Sequence, residues 1–385
     1  MGQCLKYSVA TDISKEKFDA CFSVIDIEQK VTVKSTKKFA NTPSGISNFI
    51  EWSKKHTKLD IPIVFTMEAT GVYYEKLAYE LYEKGYYVSV VLPNKSKKYM
   101  QSLGLKTKND KIDAKGLSRM GAEQKLSRWM PFSKNIYHLR LLTRQNEDLQ
   151  KQRTVIVNRK EALSHSQHSN KFVVSQYNSM LKLIDSQIEK VKKQIEKAIK
   201  DDNKLEEKIT AICKIKGVGT LTIATIVAET NGFYLFKNHR QLVSFSGYDI
   251  VENQSGKKKG KTRISKRGNS HIRRALHMPA FNVVRYEQGA FKTLYDRIYA
   301  RTGNKMQAYV AVQRKLLVLV YTLWEKNCEF DPNFHKYSGN DEPKFLFSLG
   351  FEKSVKKVAL EITKATQDEL PCKESPEVLF SLQQK

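Results

Sequence analysis

Residues 61–68, IPIVFTME, are apolar at nearly every position over one strand length and end on a carboxylate. Such a run is satisfied by a strand buried on both faces, so the chain must build layers on either side of a sheet and hold Glu68 at its end. Upstream, YSVATDI, KFDACFSVID and QKVTVKSTKKFA read as three short strands joined by tight polar turns. Between them and the buried run lies a helix opened by Thr42 and Pro43, with Ile46, Phe49, Ile50 and Trp52 as its apolar face. A helix over VYYEKLAYELYEKG stopped by Gly85, a strand YYVSVVLP and a helix through KIDAKGLSRMGAEQ complete an order β-β-β-α-β-α-β-α.

Four carboxylates stand at telling places in that order. Asp12 ends the first strand, Glu68 ends the buried strand, and Asp110 and Asp113 begin a helix three residues apart, hence on one face. The first and fourth strands of such a sheet usually lie side by side, which puts Asp12 and Glu68 at neighbouring strand ends. Singly, each acid has an ordinary reading: Asp110 and Asp113 favour a helix dipole, and Glu68 before Ala69, Thr70 and Gly71 satisfies a turn. Together they match where a ribonuclease H-like sheet keeps its catalytic acids, an expectation from fold analogy. Acids so clustered hold Mg²⁺, with two ions about 3.5 to 4 Å apart clamping a phosphodiester. Asp19 and Asp26 read as surface acids.

From about 135 to 216 the chain turns to long polar helix, in which Leu181, Ile184, Ile188, Val191, Ile195 and Ala198 recur at alternating three- and four-residue steps. An in-chain helical hairpin and a dimerising coiled coil fit that seam equally, and HSQHSNK interrupts it. Beyond, the chain is helical with a basic, glycine-punctuated middle.

Charge bears on partners. Lys and Arg total 67 against 40 Asp and Glu, a formal net charge of +27, which points to a polyanion. No acid falls between Glu252 and Glu287, a stretch that carries Lys257, Lys258, Lys259, Lys266, Arg267, Arg273 and Arg274. A second acid-free stretch, 84–108, ends with Lys106 and Lys108. Gly217-Val218-Gly219 lies between two helical stretches in the form of a helix-hairpin-helix, whose backbone N–H groups hold a DNA phosphate; two glycines needed for steric reasons are a near-even competitor. Ser255-Gly256 sits in a loop among the cations. On residues alone Ser255 reads as a phosphate-binding serine, with no base visible beside it. The five cysteines show no disulfide or zinc spacing, and no run of about 18 apolar residues occurs, so the chain is expected to be cytoplasmic, with reduced thiols and no membrane partner.

The segments ATDISKEKFDACF, MEATGVYYEKLAYELYEKGYYVSVVLPNKSKKYMQ, KTKNDKIDAKGLSRMG, IKGVGTLTIATIVAET, FKNHRQLVSFSGYDIVENQSGKKKGKTRISKRGNSHIRRAL and VAVQRKLLVLVYTLW agree in order and spacing with a known family. Over about residues 7–330 the chain resembles insertion-sequence transposases that pair an N-terminal RuvC-like DEDD domain with a C-terminal serine-bearing transposase domain, the bridge-RNA-guided recombinases. The resemblance implies that Asp12, Glu68, Asp110 and Asp113 form the metal-binding set. It also implies that Ser255 is the covalent nucleophile, linked to DNA as a 5′-phosphoserine, with the carboxylate site assisting from another protomer. Its further implications are a structured guide RNA, element-end and target double-stranded DNA, and a homo-oligomer of two or four chains. Ala10 and Thr11 stand where a glycine is usual, and Asn109 where a threonine is commoner. The expected division is a RuvC-like domain at 5–130, a helical assembly segment at 135–207, a mainly α serine-bearing domain at 208–330 and an unassigned tail at 331–385. A Mg²⁺-dependent junction-resolving nuclease that uses only the acids is the alternative. A non-catalytic nucleic-acid-binding relic is a further rival, disfavoured by the intact acids.

Overall fold

A computed structural model of the chain describes residues 3–104, 109–252, 254–256, 258–260, 263–287 and 289–331, without the side chains of 258 and 259. Its first layer is a five-stranded mixed sheet of β1 (Cys4–Ile13), β2 (Lys17–Asp26), β3 (Val31–Ala40), β4 (Ile63–Glu68) and β5 (Tyr87–Val91), in the order β3-β2-β1-β4-β5. β1 pairs antiparallel with β2 and parallel with β4, so the first and fourth strands are neighbours as the sequence predicts.

The two faces of the sheet differ in kind. One parity of residues, Tyr7, Val9, Phe18, Phe22, Phe65 and Met67, is apolar and packs with α1 (Pro43–His56) and α2 (Glu75–Glu83) in one core. Thr42 caps α1 by accepting from the Gly45 N–H, and the buried face of α1 is the predicted Ile46, Phe49, Ile50 and Trp52. α2 begins at Glu75 rather than at Val72: Gly71 adopts φ +58° and 71–74 form a turn, so Val72 and Tyr73 stand outside the helix. The unforeseen α3 (Pro93–Ser102) starts on Pro93, whose fixed φ suits a first helical turn.

The other parity of the sheet is small and polar, and α4 (Asp110–Glu123) lies on it. Ser8 Oγ donates to the Ser118 carbonyl at 2.7 Å, and Ser118 Oγ lies 2.9 Å from the Ser8 carbonyl and 2.8 Å from Ser23 Oγ. All three serines are fully buried. Gly121 completes the seat: a methyl group there would collide with Thr66 Oγ1 and Ser8 Oγ. Lys6 Nζ donates to the Gly121 carbonyl at 2.7 Å.

The long helices α5 (Lys134–Ser164) and α6 (Lys171–Lys200) pack on each other as an in-chain hairpin. Ile184 and Ile188 meet Leu149 there, so part of the predicted seam is satisfied within one chain. A second, larger core gathers α7 (Asn203–Cys213), α8 (Thr220–Glu229), α9 (His239–Phe245), α10 (Ser270–Ala275), α11 (His277–Arg285), α12 (Gly289–Thr302) and α13 (Lys305–Lys326). Between α9 and α10 runs a β-ribbon: β6 (Ile250–Val251) pairs with β9 (Arg263–Ile264), and β7 (Gln254–Ser255) with β8 (Lys258–Lys259). No helix among the described residues is long and apolar enough to cross a membrane.

α5 is clamped to this second core by an ion pair. Arg144 meets the fully buried Glu229 side chain through two bonds, Nε to Oε1 at 2.6 Å and Nη2 to Oε2 at 3.0 Å. Asn269 Nδ2 adds a bond to Oε2 at 2.7 Å, and Arg140 lies 3.6 Å away. Burial alone would push the Glu229 carboxyl up, but these partners outweigh it and hold it below the usual carboxylate range.

Two expectations follow. Gly121→Ala lowers stability by roughly 1–3 kcal/mol in urea titration, because the neighbours of the new methyl are buried and cannot withdraw. Glu229→Ala leaves two arginines facing each other and costs about 3–5 kcal/mol by the same measurement.

Candidate functional site

Strand parity and the seat of α4 build the acid cluster. Asp12 lies on the polar parity near the end of β1 with Asp19 as its cross-strand partner, and Glu68 ends the parallel neighbour β4 one step past the Thr11–Met67 pairing. Asp110 and Asp113 occupy the first turn of α4, which Asn109 caps by accepting from the Ile112 N–H at 2.9 Å. Asn109 therefore makes the cap that a threonine would make.

The Asp12 carboxyl is pushed up to about 6, first by burial and then by the negative charges of Asp113, Asp110, Glu68 and Asp19. All four predicted acids thus share one electrostatic environment. Two participants escape a reading by residue type. Asp19 is no mere surface acid: hairpin register sets it opposite Asp12, and Lys38 neutralises it at 3.3 Å. Ser96 is buried on α3 and donates from Oγ to Glu68 Oε2 at 2.6 Å. The hairpin register around the turn SKEK could have found the first; no sequence signal marks the second. Asp26, read as a surface acid, serves the β2–β3 turn by accepting from the Glu28 and Lys30 N–H groups.

The donor set fits a divalent cation. Carboxylate oxygens are the ligands hard cations take, and a half-buried Asp12 among like charges gains from any counter-ion. Among the described residues no three acids, histidines or cysteines converge tightly enough to ligate one ion.

Ser255 sits elsewhere, near the tip of the β-ribbon, exposed and paired in register with Lys258. Gly256 follows at φ +54° with open space around it. The base of the ribbon is firm: Ser265 Oγ donates to Asp249 Oδ1 at 2.6 Å, the Ser265 N–H to the Asp249 carbonyl at 2.8 Å, and the Asn269 N–H to the Phe245 carbonyl at 2.7 Å. Asn269 then caps α10 while also holding Glu229, so the ribbon's exit and the α5 clamp share a side chain.

The predicted phosphate-binding residues divide. Lys266 and Arg267 are exposed at the ribbon's base. Arg273 is half-buried and donates from Nη1 to the Ser246 carbonyl at 2.9 Å, so it braces α9. Arg274 is exposed but lies 3.6 Å from Glu147, which also accepts Lys151 and His271. Gly217, at φ +96°, has no room for a Cβ against Asn282 of α11, the steric reading of the Gly-Val-Gly turn. Gly219 stands exposed at the N-terminus of α8, which has no side-chain cap. Lys106, Lys108 and Lys257, the side chains of Lys258 and Lys259, and the tail from 332 lie outside the described residues.

A raised carboxyl means the folded chain keeps a proton that the unfolded chain releases. The contribution of Asp12 to stability is therefore present below about 4 and lost as pH rises towards about 6. Asp12→Asn should flatten that fall in a cation-free melting series from pH 4 to 8. Added Mg²⁺ should raise the melting temperature of the wild type above pH 6 far more than that of the variant.

A family model described as "Transposase" with a DEDD designation matches residues 9–166, and one described as "Transposase IS116/IS110/IS902 family" matches residues 209–296. The chain is 30% identical over 332 residues to the pilin gene-inverting protein of Moraxella bovis, covering 86% of this chain and 99% of the relative. The pilin gene-inverting protein of Moraxella lacunata matches with the same figures. A solved structure of the Ppx/GppA family member of Aquifex aeolicus aligns over 84% of this chain and 92% of its own at 11% identity, with a TM-score of 0.21 too low to inform the fold.

Proposed function

The chain belongs to the IS116/IS110/IS902 family of transposases and is therefore a DNA recombinase, and on that premise we propose that it cuts and rejoins DNA through a phosphoserine at Ser255, with Asp12, Glu68, Asp110 and Asp113 as its metal-binding set. What carries the reading is the pairing, in one chain, of a mutually repelling acid cluster with an exposed serine on a basic ribbon. The family's DEDD designation supports a RuvC-like sheet domain at 5–130 and divalent-metal dependence, with Mg²⁺ the ion proposed. The remaining proposed divisions are an assembly hairpin at 135–207, the serine-bearing domain at 208–330 and a tail at 331–385.

Ser255 Oγ attacks the scissile phosphorus, forming an Oγ–P bond as the P–O3′ bond breaks, and the hydroxyl proton ends on the departing 3′ oxygen. A free 3′-hydroxyl then reverses the step on the phosphoserine, so the bond energy is kept rather than lost to water. A bound divalent cation supplies charge neutralisation at the scissile phosphate. Around it, Ser96 orients Glu68 and the seat of α4 fixes Asp110 and Asp113. Lys266 and Arg267, with Lys106, Lys108, Lys257, Lys258 and Lys259, are proposed to grip backbone phosphates. Gly219 offers the uncapped start of α8 to another phosphate. The proposal extends to a guide RNA that reads sequence by pairing and to a homo-oligomer that completes the site; a chain of net charge +27 suits two polyanions.

The test incubates protein, Mg²⁺, RNA from the element's flanks and a labelled DNA junction, and looks for a denaturation-resistant protein–DNA adduct. The adduct should form with wild type and vanish entirely with Ser255→Ala. Cleavage without an adduct, unchanged in that variant, would instead establish a metal-dependent nuclease.

A further inference from the structure

The rim of the acid site carries apolar side chains that the fold leaves uncovered. Val72, Tyr73 and Leu92 are 61%, 43% and 66% exposed, although each lies within five residues of Glu68 or of its register partner Val91. They are not on loose chain. Asn41 Nδ2 donates to the Tyr73 carbonyl and to the Ser14 carbonyl, each at 3.1 Å, so one side chain ties the turn after Glu68 to the turn after Asp12. The Ala69 N–H donates to the Val91 carbonyl at 2.9 Å and the Thr70 N–H to the Glu68 carbonyl at 2.8 Å. Gly71 turns the chain at φ +58°, and the Tyr73 ring edge lies 3.8 Å from where a Gly71 Cβ would sit, so the ring rests against the turn it belongs to.

Beside this rim the first turns of α3 expose Lys95, Lys97 and Lys98, flanking the buried Ser96 that bonds Glu68. An exposed ring and cations leaving neighbouring strand ends suit a single strand: cations follow its phosphates while the ring takes the flat face of a base. Intact duplex presents phosphates, sugars and base edges but keeps the flat faces of its bases stacked inside, where a surface ring cannot reach them. Strand exchange must unpair bases at the crossover, and an unpaired base loses its own stacking partner. We propose that Tyr73, in the turn that leaves Glu68, is a platform on which an unpaired base beside the scissile phosphate stacks, a reading that rests on DNA occupying the acid site. Tyr73 thereby fixes the position of that phosphate relative to Asp12 and Glu68 without contributing a charge.

The test uses the full chain and a DNA junction with an unpaired 2-aminopurine next to the exchange phosphate. Stacking quenches its fluorescence, and anisotropy gives affinity. Wild type, Tyr73→Phe and Tyr73→Trp should quench alike. Tyr73→Ala should lose the quench and bind this junction roughly 5- to 150-fold more weakly, the range that one base–aromatic stack supplies, with intact duplex bound as before. Undiminished quenching and affinity in Tyr73→Ala overturn the platform while leaving DNA at the acid site, and so does an equal loss in Tyr73→Phe and Tyr73→Ala. Wild-type binding that leaves the 2-aminopurine bright, with strand cleavage indifferent to Asp12→Asn, removes the premise itself.

Discussion

The close approach of α4 to the polar face of the sheet is the contact on which the acid site depends. A sheet face of Ser8, Ser23 and Thr66 is an unusual thing to bury, since each hydroxyl costs free energy unless it is bonded. Ser118 satisfies two of these residues at once, and Gly121 lets the helix backbone come near enough for the bonds to form. Among the described residues Thr66 Oγ1 has no hydrogen-bond partner, a local cost of the same approach. With large apolar side chains on this face the helix would ride higher, and its first turn would carry Asp110 and Asp113 away from Asp12. The aromatic face and the polar face thus divide the work: one supplies burial, the other supplies placement.

Placement of the acids is costly in a way that burial of the opposite face offsets. Burial first, and then the negative charges of the four carboxylates around it, push the Asp12 carboxyl up. Local instability at a functional centre is tolerable when its surroundings over-determine it. Here a continuous aromatic cluster of Phe18, Phe22, Phe39, Phe49, Trp52 and Phe65 stiffens the strands that carry Asp12 and Glu68. The Ser255 ribbon is built on the opposite plan. Two short antiparallel pairs with exposed residues have little core of their own, and a lone two-stranded hairpin is marginal in water. Its firmness comes from the base, where Asp249, Ser265 and Asn269 are bonded into the second core. An acid centre on a rigid sheet and a serine on a slender arm are compatible with the proposed chemistry, in which Ser255 carries the DNA strand it captures.

Much of the sheet domain was legible because its signals are local. The apolar run 61–68, the Thr42-Pro43 helix start and the strand-end positions of Asp12 and Glu68 need only periodicity and capping rules. What escaped is what depends on tertiary register. Ser96 is one polar residue in a lysine-rich stretch, and nothing in its neighbourhood tells that α3 will turn it towards Glu68. Asp19 reads as a surface acid because it lies in a hairpin strand, yet the register of that hairpin sets it against Asp12. The start of α2 was misplaced because Val72 and Tyr73 are helix-compatible apolar residues. The turn at Gly71 and the Asn41 clamp override that preference, and a side chain on β3's exit is invisible to a window centred on residue 72.

The basic segment 253–286 shows why charge alone misreads a surface. A cation counts towards nucleic-acid binding only if its charge is uncommitted, since a phosphate contact that first breaks an internal pair gains little. Arg273 is oriented by the Ser246 carbonyl, a neutral partner that leaves its charge intact, whereas Arg274 shares Glu147 with Lys151 and His271. In the long helix α5, Arg140 and Arg144 are likewise spent on Glu229. These arginines hold the framework from which Lys266 and Arg267 project. Because the formal charge of +27 already subtracts every acid, these ion pairs change where free cations lie rather than how many remain, and the salt dependence of DNA affinity should follow exposed cations such as Lys266 and Arg267.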